Sequence, residues 1–329
     1  MRWGIVGYGW VAQDYMAPAL EQHEASVLRA VVSVREEDLQ QLPRGCTGYR
    51  SLTAMLAAET LDAVYIATPN HLHARQAVAC LEAGLDVLCE KPLAPTYAEA
   101  CSIARAVGRT GGYFATAFDQ RHHPAHRLMQ AWVAEGRLGA VTQTRIDYAC
   151  WLPAGWSADN WRIDPARAGG GAIIDLAPHG LDLLEVLTGQ RITQLHAYQQ
   201  RAVQDYAVDD GGALSVRFSG GAVGVHTVGY NRPETLPRRR LELIGTEGML
   251  VAENTMGQDP GGHLLFVDAR TGQSEVLTFA NTESPFYHQV VAFTQGRRGK
   301  VPASRTIEDD LRLVQLLEEA MTKDATPWP

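Results

Sequence analysis

Short apolar runs alternate with amphipathic stretches through the first third of the chain and then give way to closely spaced strand patterns. Ile5-Val6, Leu28–Val34, Leu61–Ala67, Val87–Cys89 and Tyr113–Phe118 read as buried parallel strands, apolar on both faces. Helical patterns lie between them. One runs from Val11 to Glu21, a second follows Thr68–His73 and runs to Ala83 with Gly84 as its stop, and a third opens on the capping box Thr96-Tyr97-Ala98-Glu99 and ends near Gly108. This alternation predicts a doubly wound parallel sheet over residues 1–120. From Ile192 the spacing shortens to Ile192–Tyr198, Ala213–Phe218, Ala222–Val228, Leu241–Gly245, Met249–Ala252, Leu264–Asp268 and Glu275–Phe279. Ser219-Gly220-Gly221, Thr246-Glu247-Gly248 and Arg270-Thr271-Gly272 are hairpin turn signals between these strands. Residues 121–329 therefore predict an α+β domain with a large, mostly antiparallel sheet. The last helix, about 307–321, is able to pack back on the first domain. The overall class is α/β.

A chain of 329 residues exceeds one ordinary core, in keeping with two domains. With 46% hydrophobic and 20% charged residues it has a globular composition, and a net charge of −8 argues against a nucleic-acid or anionic-membrane surface. Met1-Arg2-Trp3-Gly4-Ile5-Val6 enters a strand at once, which predicts no signal peptide. Cys46, Cys80, Cys89, Cys101 and Cys150 have no metal-type spacing and suit a reducing cytoplasm. A large sheet covered by helices on one face needs something on the other. A partner subunit would serve, so a homodimer or dimer of dimers is expected.

Ile5-Val6 runs into Gly7-Tyr8-Gly9-Trp10-Val11-Ala12, a G-x-G-x-x-A turn between strand and helix. Gly7 permits the tight turn, Gly9 lets a pyrophosphate approach the backbone, and Ala12 lets the helix pack closely, as in a Rossmann dinucleotide site. About twenty residues on, where a carboxylate normally grips the ribose 2′-hydroxyl, stand Ser33-Val34-Arg35. A 2′-phosphate could take a hydroxyl from Ser33 and a guanidinium from Arg35, which favours NADP over NAD. The competing possibility is that Glu36, Glu37 or Asp38 serves the ribose, although these suit a solvated first helical turn. Thr68-Pro69-Asn70-His71-Leu72-His73 follows another strand end, where His71 and His73 would cap the helix or contact the ribose. Asp86–Pro92 delivers Lys91 to the carboxyl edge of the sheet, where ligands of open α/β sheets sit. Taken by itself, Lys91 reads more simply as a solvated loop lysine, and it is the other motifs of the chain that favour a site role.

Arg121 and His122 fall at the crossing between the domains and are candidates for substrate or cofactor contact. His122, His123 and His126 lack a carboxylate at ligand spacing, so no metal site is expected. Trp151, Trp156 and Trp161 suit either sugar stacking or interface packing. Gly169-Gly170-Gly171 leads into a helix where Asp175 and His179, four apart, share a face with Cβ atoms about 5–6 Å apart. Pro178 cannot donate to the Ile174 carbonyl, so a kink or irregular start is expected there. A surface ion pair is the plain alternative for Asp175 and His179.

These stretches occur in an order that resembles the glucose–fructose oxidoreductase / inositol dehydrogenase / rhizopine-catabolism (Gfo/Idh/MocA) family. The motifs are G-x-G-x-x-A, Ala67–His73, Glu90-Lys91-Pro92 and Gly169-Gly170-Gly171…Asp175…His179, and the resemblance spans essentially the whole chain. It implies an NAD(P)-dependent oxidoreductase acting on a sugar, inositol or related polyol. It implies catalytic roles for Lys91, Asp175 and His179. It also implies a pyrophosphate turn at Gly7, Gly9 and Ala12. Trp10, Val11, Ser33, Arg35, Thr68, Pro69, Asn70, His73, Glu90 and Lys91 are further candidate cofactor contacts, and Lys91, Arg121, His122, Trp161, Asp175 and His179 are candidate substrate contacts. Ser33 departs from the family's commonest acidic residue. Lys91 and the Asp175/His179 couple lie on different domains, which would put the substrate in the crevice between them. A biliverdin- or imine-reductase-like enzyme of the same fold and a non-catalytic dinucleotide-sensing regulator are the alternatives.

Overall fold

The computed structural model describes residues 1–157, 159–299 and 305–324. The chain forms two compact units. One contains Met1–Phe118 and Phe286–Val314; the other runs from Asp119 to Pro285 and resumes at Gln315.

In the first unit, the elements are β1 (Arg2–Val6), α1 (Ala17–Gln22), β2 (Val27–Val32), α2 (Glu36–Leu39), β3 (Thr47–Tyr49) and α3 (Leu52–Ala58). Then come β4 (Ala63–Ile66), α4 (Asn70–Glu82), β5 (Asp86–Glu90), α5 (Tyr97–Thr110) and β6 (Phe114–Ala117). The six strands pair in parallel in the order β3-β2-β1-β4-β5-β6, a doubly wound sheet with its switch point beside β1.

Alternation along the strands splits the core in two. Val6, Val64, Ile66, Val87 and Cys89 face the layer of α4 and α5, while Trp3, Ile5, Tyr65 and Leu88 face the layer of α1. The helix after the glycine turn is irregular. Residues Ala12–Met16 form a π-helical turn before α1 begins, and Pro18, which has no N–H to donate, stands just inside α1. Helix α5 starts where the capping box placed it, with Thr96 Oγ1 accepting from the Glu99 amide at 3.2 Å, and it stops on Gly111 at φ 70°.

The second unit contains α6 (Pro124–Ala134), β7 (Val141–Ala149), α7 (Pro165–Ala168), α8 (Ala172–Thr188), β8 (Ile192–Gln200), β9 (Gly211–Phe218), β10 (Val223–Gly229), β11 (Arg239–Gly245), β12 (Gly248–Glu253), β13 (His263–Asp268) and β14 (Ser274–Val276). Its eight strands pair in the order β14-β13-β12-β11-β7-β10-β9-β8, all antiparallel except β7 with β10. Strand β7, central to this sheet, does not stand out in the hydrophobic pattern. The last two helices are α9 (Pro285–Arg297) and α10 (Ile307–Lys323). Phe286, Val290 and Phe293 complete the α1-side core of the first unit, and Ile307 and Leu311 join its opposite layer. Among the described residues no helix is long and apolar enough to cross a membrane.

Helix α8 packs on the inner face of the eight-stranded sheet, against β7, β9 and β10. Its buried residues surround it almost completely, so a polar side chain on it must find a partner. The helix continues through Pro178 as a single element. Two glycines allow the fit. Gly180 lies under the His226 ring, where a Cβ would come within 2.2 Å of Cε1, and Gly171 approaches Asp209, where a Cβ would fall 1.9 Å from its carbonyl oxygen. The Asp209 side chain then caps the helix, accepting from the amides of Gly171 and Ile173 at 2.8 Å each. Gly171→Ala should therefore force the helix start off its cap and lower stability by about 1–3 kcal/mol. A denaturant midpoint matching that of the wild type would contradict this account of the helix start.

Candidate active site

The glycine turn is shaped for a dinucleotide. Gly7 has φ 91°, and a Cβ on it would come within 2.7 Å of the Ala67 carbonyl, so the backbones at the ends of β1 and β4 touch there. A Cβ on Gly9 would meet no atom within 4 Å, so the backbone there opens onto space a phosphate can enter. Ala12 is fully buried against the sheet, Val11 is half-buried, and Trp10 is exposed with Tyr15 edge-on at 5.9 Å. These residues fit the pyrophosphate group.

The ribose end differs from the expectation. Asp38 is buried rather than solvated, because Ser33 and Arg35 both turn onto it. Ser33 Oγ donates to Asp38 Oδ2 at 2.5 Å, while Arg35 donates from Nε at 2.9 Å and from a terminal nitrogen at 2.6 Å. Gln13 Nε2 adds a fourth contact at 3.1 Å. Ser33 and Arg35 are both engaged by this carboxylate, so a 2′-phosphate approaching them would meet its negative charge.

Thr68 and Pro69 lead into α4, with Pro69 at its N-cap and Asn70 buried at its first position. His73 is fully buried, with Nε2 2.7 Å from the Thr68 carbonyl oxygen and Nδ1 2.8 Å from that of Pro92. It ties the turn after β4 to the turn after β5, a brace rather than the cofactor contact expected. Lys91 is half-buried one residue beyond β5, before a cis peptide to Pro92, and the Glu90 carboxylate beside it accepts from the Tyr65 hydroxyl at 2.5 Å.

In the second unit the expected residues converge around α8, with different pairings. Asp175 and His179 share a face of the helix, but each has its own charged or polar neighbours. Asp175 Oδ2 accepts from the Tyr230 hydroxyl at 2.6 Å and lies 3.8 Å from Arg162 Nε. The Arg162 guanidinium sits 4.6 Å from the Trp161 ring centre and 5.5 Å from that of Trp156. The carboxylate against the imidazole is Asp119, with Oδ1 3.3 Å from His179 Nδ1. Tyr148 stands edge-on to His179 at 5.9 Å, and burial raises its pKa well above the usual phenol value. Burial also pushes the nearby Cys150 thiol up to about 12, leaving it protonated and inert.

Arg121, expected to touch substrate or cofactor, instead makes a buried two-pronged ion pair with Asp182, at 2.6 and 2.5 Å. His122 ends the 3₁₀ turn Asp119–His122 and is half-buried. His123 and His126 are pins: His126 Nδ1 donates to the Gln120 carbonyl at 2.8 Å and its Nε2 accepts from Thr255 Oγ1 at 2.9 Å. Burial lowers His123 to about 4 and His126 to about 3, so both stay neutral at physiological pH. Among the described residues no group of three His, Cys, Asp or Glu side chains could hold a metal ion.

Sequence reading assigned no role to Asp119, Tyr148, Arg162 and Tyr230, and it expected Asp38 to be solvated. Asp119 lies 60 residues from His179 and Tyr230 lies 55 from Asp175, separations at which no local periodicity pairs side chains.

The parallel sheet and its glycine turn place the first unit among dinucleotide-binding folds, and comparison with known proteins makes the class specific. Residues 1–118 match the oxidoreductase family with NAD-binding Rossmann fold, and residues 126–251 match the GFO/IDH/MocA C-terminal domain. The chain belongs to the Gfo/Idh/MocA family and is an NAD(P)-dependent oxidoreductase. It is 30% identical over 312 residues to 1,5-anhydro-D-fructose reductase of Ensifer adhaerens, covering 94% of this chain and 91% of that one. It is also 30% identical over 306 residues to D-xylose 1-dehydrogenase (NADP(+)) 2 of Haloferax volcanii, covering 92% and 91%. Aldose-aldose oxidoreductase from Caulobacter crescentus has the same fold, with a TM-score of 0.86 at 22% identity over 98% of both chains.

Removing the carboxylate with Asp38→Ala should free Ser33 and Arg35 and move cofactor preference towards NADP. The ratio of dissociation constants for NAD and NADP should rise about tenfold, or about 1.4 kcal/mol. An unchanged ratio in a fluorescence titration would remove Asp38 from cofactor selection.

Proposed function

We propose that the enzyme interconverts a secondary alcohol and a ketone on a sugar, inositol or related polyol. Its support in the chain is the grouping on and around α8, where a buried imidazole beside one carboxylate lies a helical turn from a second carboxylate with its own arginine and tyrosine. Trp156 and Trp161, with Arg162 against both rings, give a sugar ring an aromatic and cationic platform beside Asp175. The two full-length relatives at 30% identity, a reductase and a dehydrogenase named for sugars, point to the same substrate class. A biliverdin- or imine-type substrate would have no use for this set of charged groups.

In this proposal His179 accepts the hydroxyl proton, Lys91 stabilises the developing alkoxide, and Asp175 with Tyr230 orients the hydroxyl. Gly7, Gly9 and Ala12 would seat the pyrophosphate, and the ribose would lie towards Ser33, Arg35 and Asp38. The bound nicotinamide supplies the hydride acceptor or donor. Arg121 and Asp182 neutralise each other and hold the turn Asp119–His122 to α8.

Lys91→Met should lower kcat about 10²–10³-fold or more while changing cofactor affinity far less. The measurement is reduced-nicotinamide absorbance against a panel of sugars and polyols with each cofactor. Wild-type rates in the variant would eliminate the role given to Lys91.

We also assign the protein to the cytoplasm, where five unpaired cysteines persist. A second copy of the chain would cover the outer face of the eight-stranded sheet. That face carries exposed Val223 and Val225 beside a groove lined by Arg145, His196 and Arg217. Val225→Asp should halve the sedimenting mass of the assembly, and a mass equal to that of the wild type would exclude this face as the contact.

A further inference from the structure

We propose that Asp119 is a positioning residue for His179, holding the imidazole as the Nδ1–H tautomer so that Nε2 is the nitrogen that takes the substrate proton. The inference rests on the role of His179 proposed above and adds to it the group that makes one ring nitrogen basic.

The geometry is built for this. Asp119 Oδ1 lies 3.3 Å from His179 Nδ1, within ion-pair range though not aligned as a hydrogen bond, and the two side chains are 6% and 9% exposed. The other oxygen of Asp119 is anchored, accepting from Gln120 Nε2 at 2.8 Å, and the same amide nitrogen donates to the Gly257 carbonyl at 3.0 Å. The carboxylate is therefore held by the loop that follows β12, rather than free to follow the ring. Tyr148 closes one side of the imidazole, limiting its rotation.

The neighbouring charges leave this task to Asp119. Asp175, four residues before His179, is engaged by Tyr230 and Arg162. Asp182 is engaged by Arg121. From β10, His226 packs on Gly180 as a fully buried ring whose pKa is lowered to about 3, so it brings no charge. From α6, His126 is committed to Gln120 and Thr255.

In the alcohol-oxidising direction the substrate O–H proton passes to Nε2, the ring becomes imidazolium, and the Nδ1–H remains on the Asp119 side. The carboxylate stabilises that cation as it forms. A carboxylate serving only to tie the 3₁₀ turn to α8 would contribute to stability but have no effect on the tautomer.

The test is ¹⁵N-histidine spectroscopy on the full chain loaded with NAD, at a pH where His179 is neutral, with His179→Ala to assign the signal. The wild type should show Nδ1 protonated and Nε2 bare. The opposite tautomer in the wild type overturns the proposal without any variant being needed. Asp119→Asn should shift the ring towards Nε2–H and lower kcat about 10²-fold or more with KM changed less than about threefold, while Asp119→Glu recovers part of the rate. A wild-type tautomer and kcat in folded Asp119→Asn would also overturn it. If His179→Ala itself turns over at the wild-type rate, the proton-acceptor role of His179 has failed instead, an outcome distinguishable from the first.

Discussion

The second unit depends on one close approach, the seating of α8 on the inner face of its sheet. The helix is buried around nearly its whole circumference, and it reaches the sheet because Gly180 leaves room for the His226 ring. Its first turn is fixed by Asp209, whose two carboxylate oxygens take the amides of Gly171 and Ile173. Burial drives this carboxyl up to about 6 even though both amides favour its charged form. The cost of burying that charge is the cost of a rigid helix start. Rigidity at this point fixes the placement of Asp175 and His179, one and two turns further along.

Within the site, charge is distributed so that each carboxylate has a separate partner. Asp182 neutralises Arg121, Asp175 faces Arg162 and Tyr230, and Asp119 meets the imidazole. A buried pair missing one member would leave an uncompensated charge in low dielectric, so these pairings are mutually enforcing. The first unit follows the same logic at smaller scale, with Asp38 drawing Ser33, Arg35 and Gln13 together.

Period and punctuation made the doubly wound sheet legible, because its strands are uniformly apolar and its helices are capped by residues of recognisable type. The glycine turn and the Asp175/His179 face were legible for the same reason: both are local patterns. Strand β7 escaped because its buried positions, Thr144, Ile146 and Tyr148, alternate with Gln143, Arg145 and Asp147, and a polar residue occupies one inward site. Asp38 was misjudged because an acidic run at a helix start ordinarily faces water, and only the turn of Ser33 and Arg35 onto it buries the group. Which carboxylate meets which cation is set by tertiary packing across tens of residues, and Asp119 and Arg162 carry no local mark of it.

The first unit's core includes Phe286, Val290, Phe293, Ile307 and Leu311, all supplied after the second unit's sheet has been written into the chain. During synthesis the amino-terminal sheet therefore emerges with two unfinished layers and must wait for more than 160 residues before they are filled. The core of the dinucleotide-binding lobe is in this sense completed only by segments made after the second unit's sheet. Ribosome pausing or truncation anywhere before α9 would leave the apolar flanks of β1, β4 and β5 exposed to chaperones.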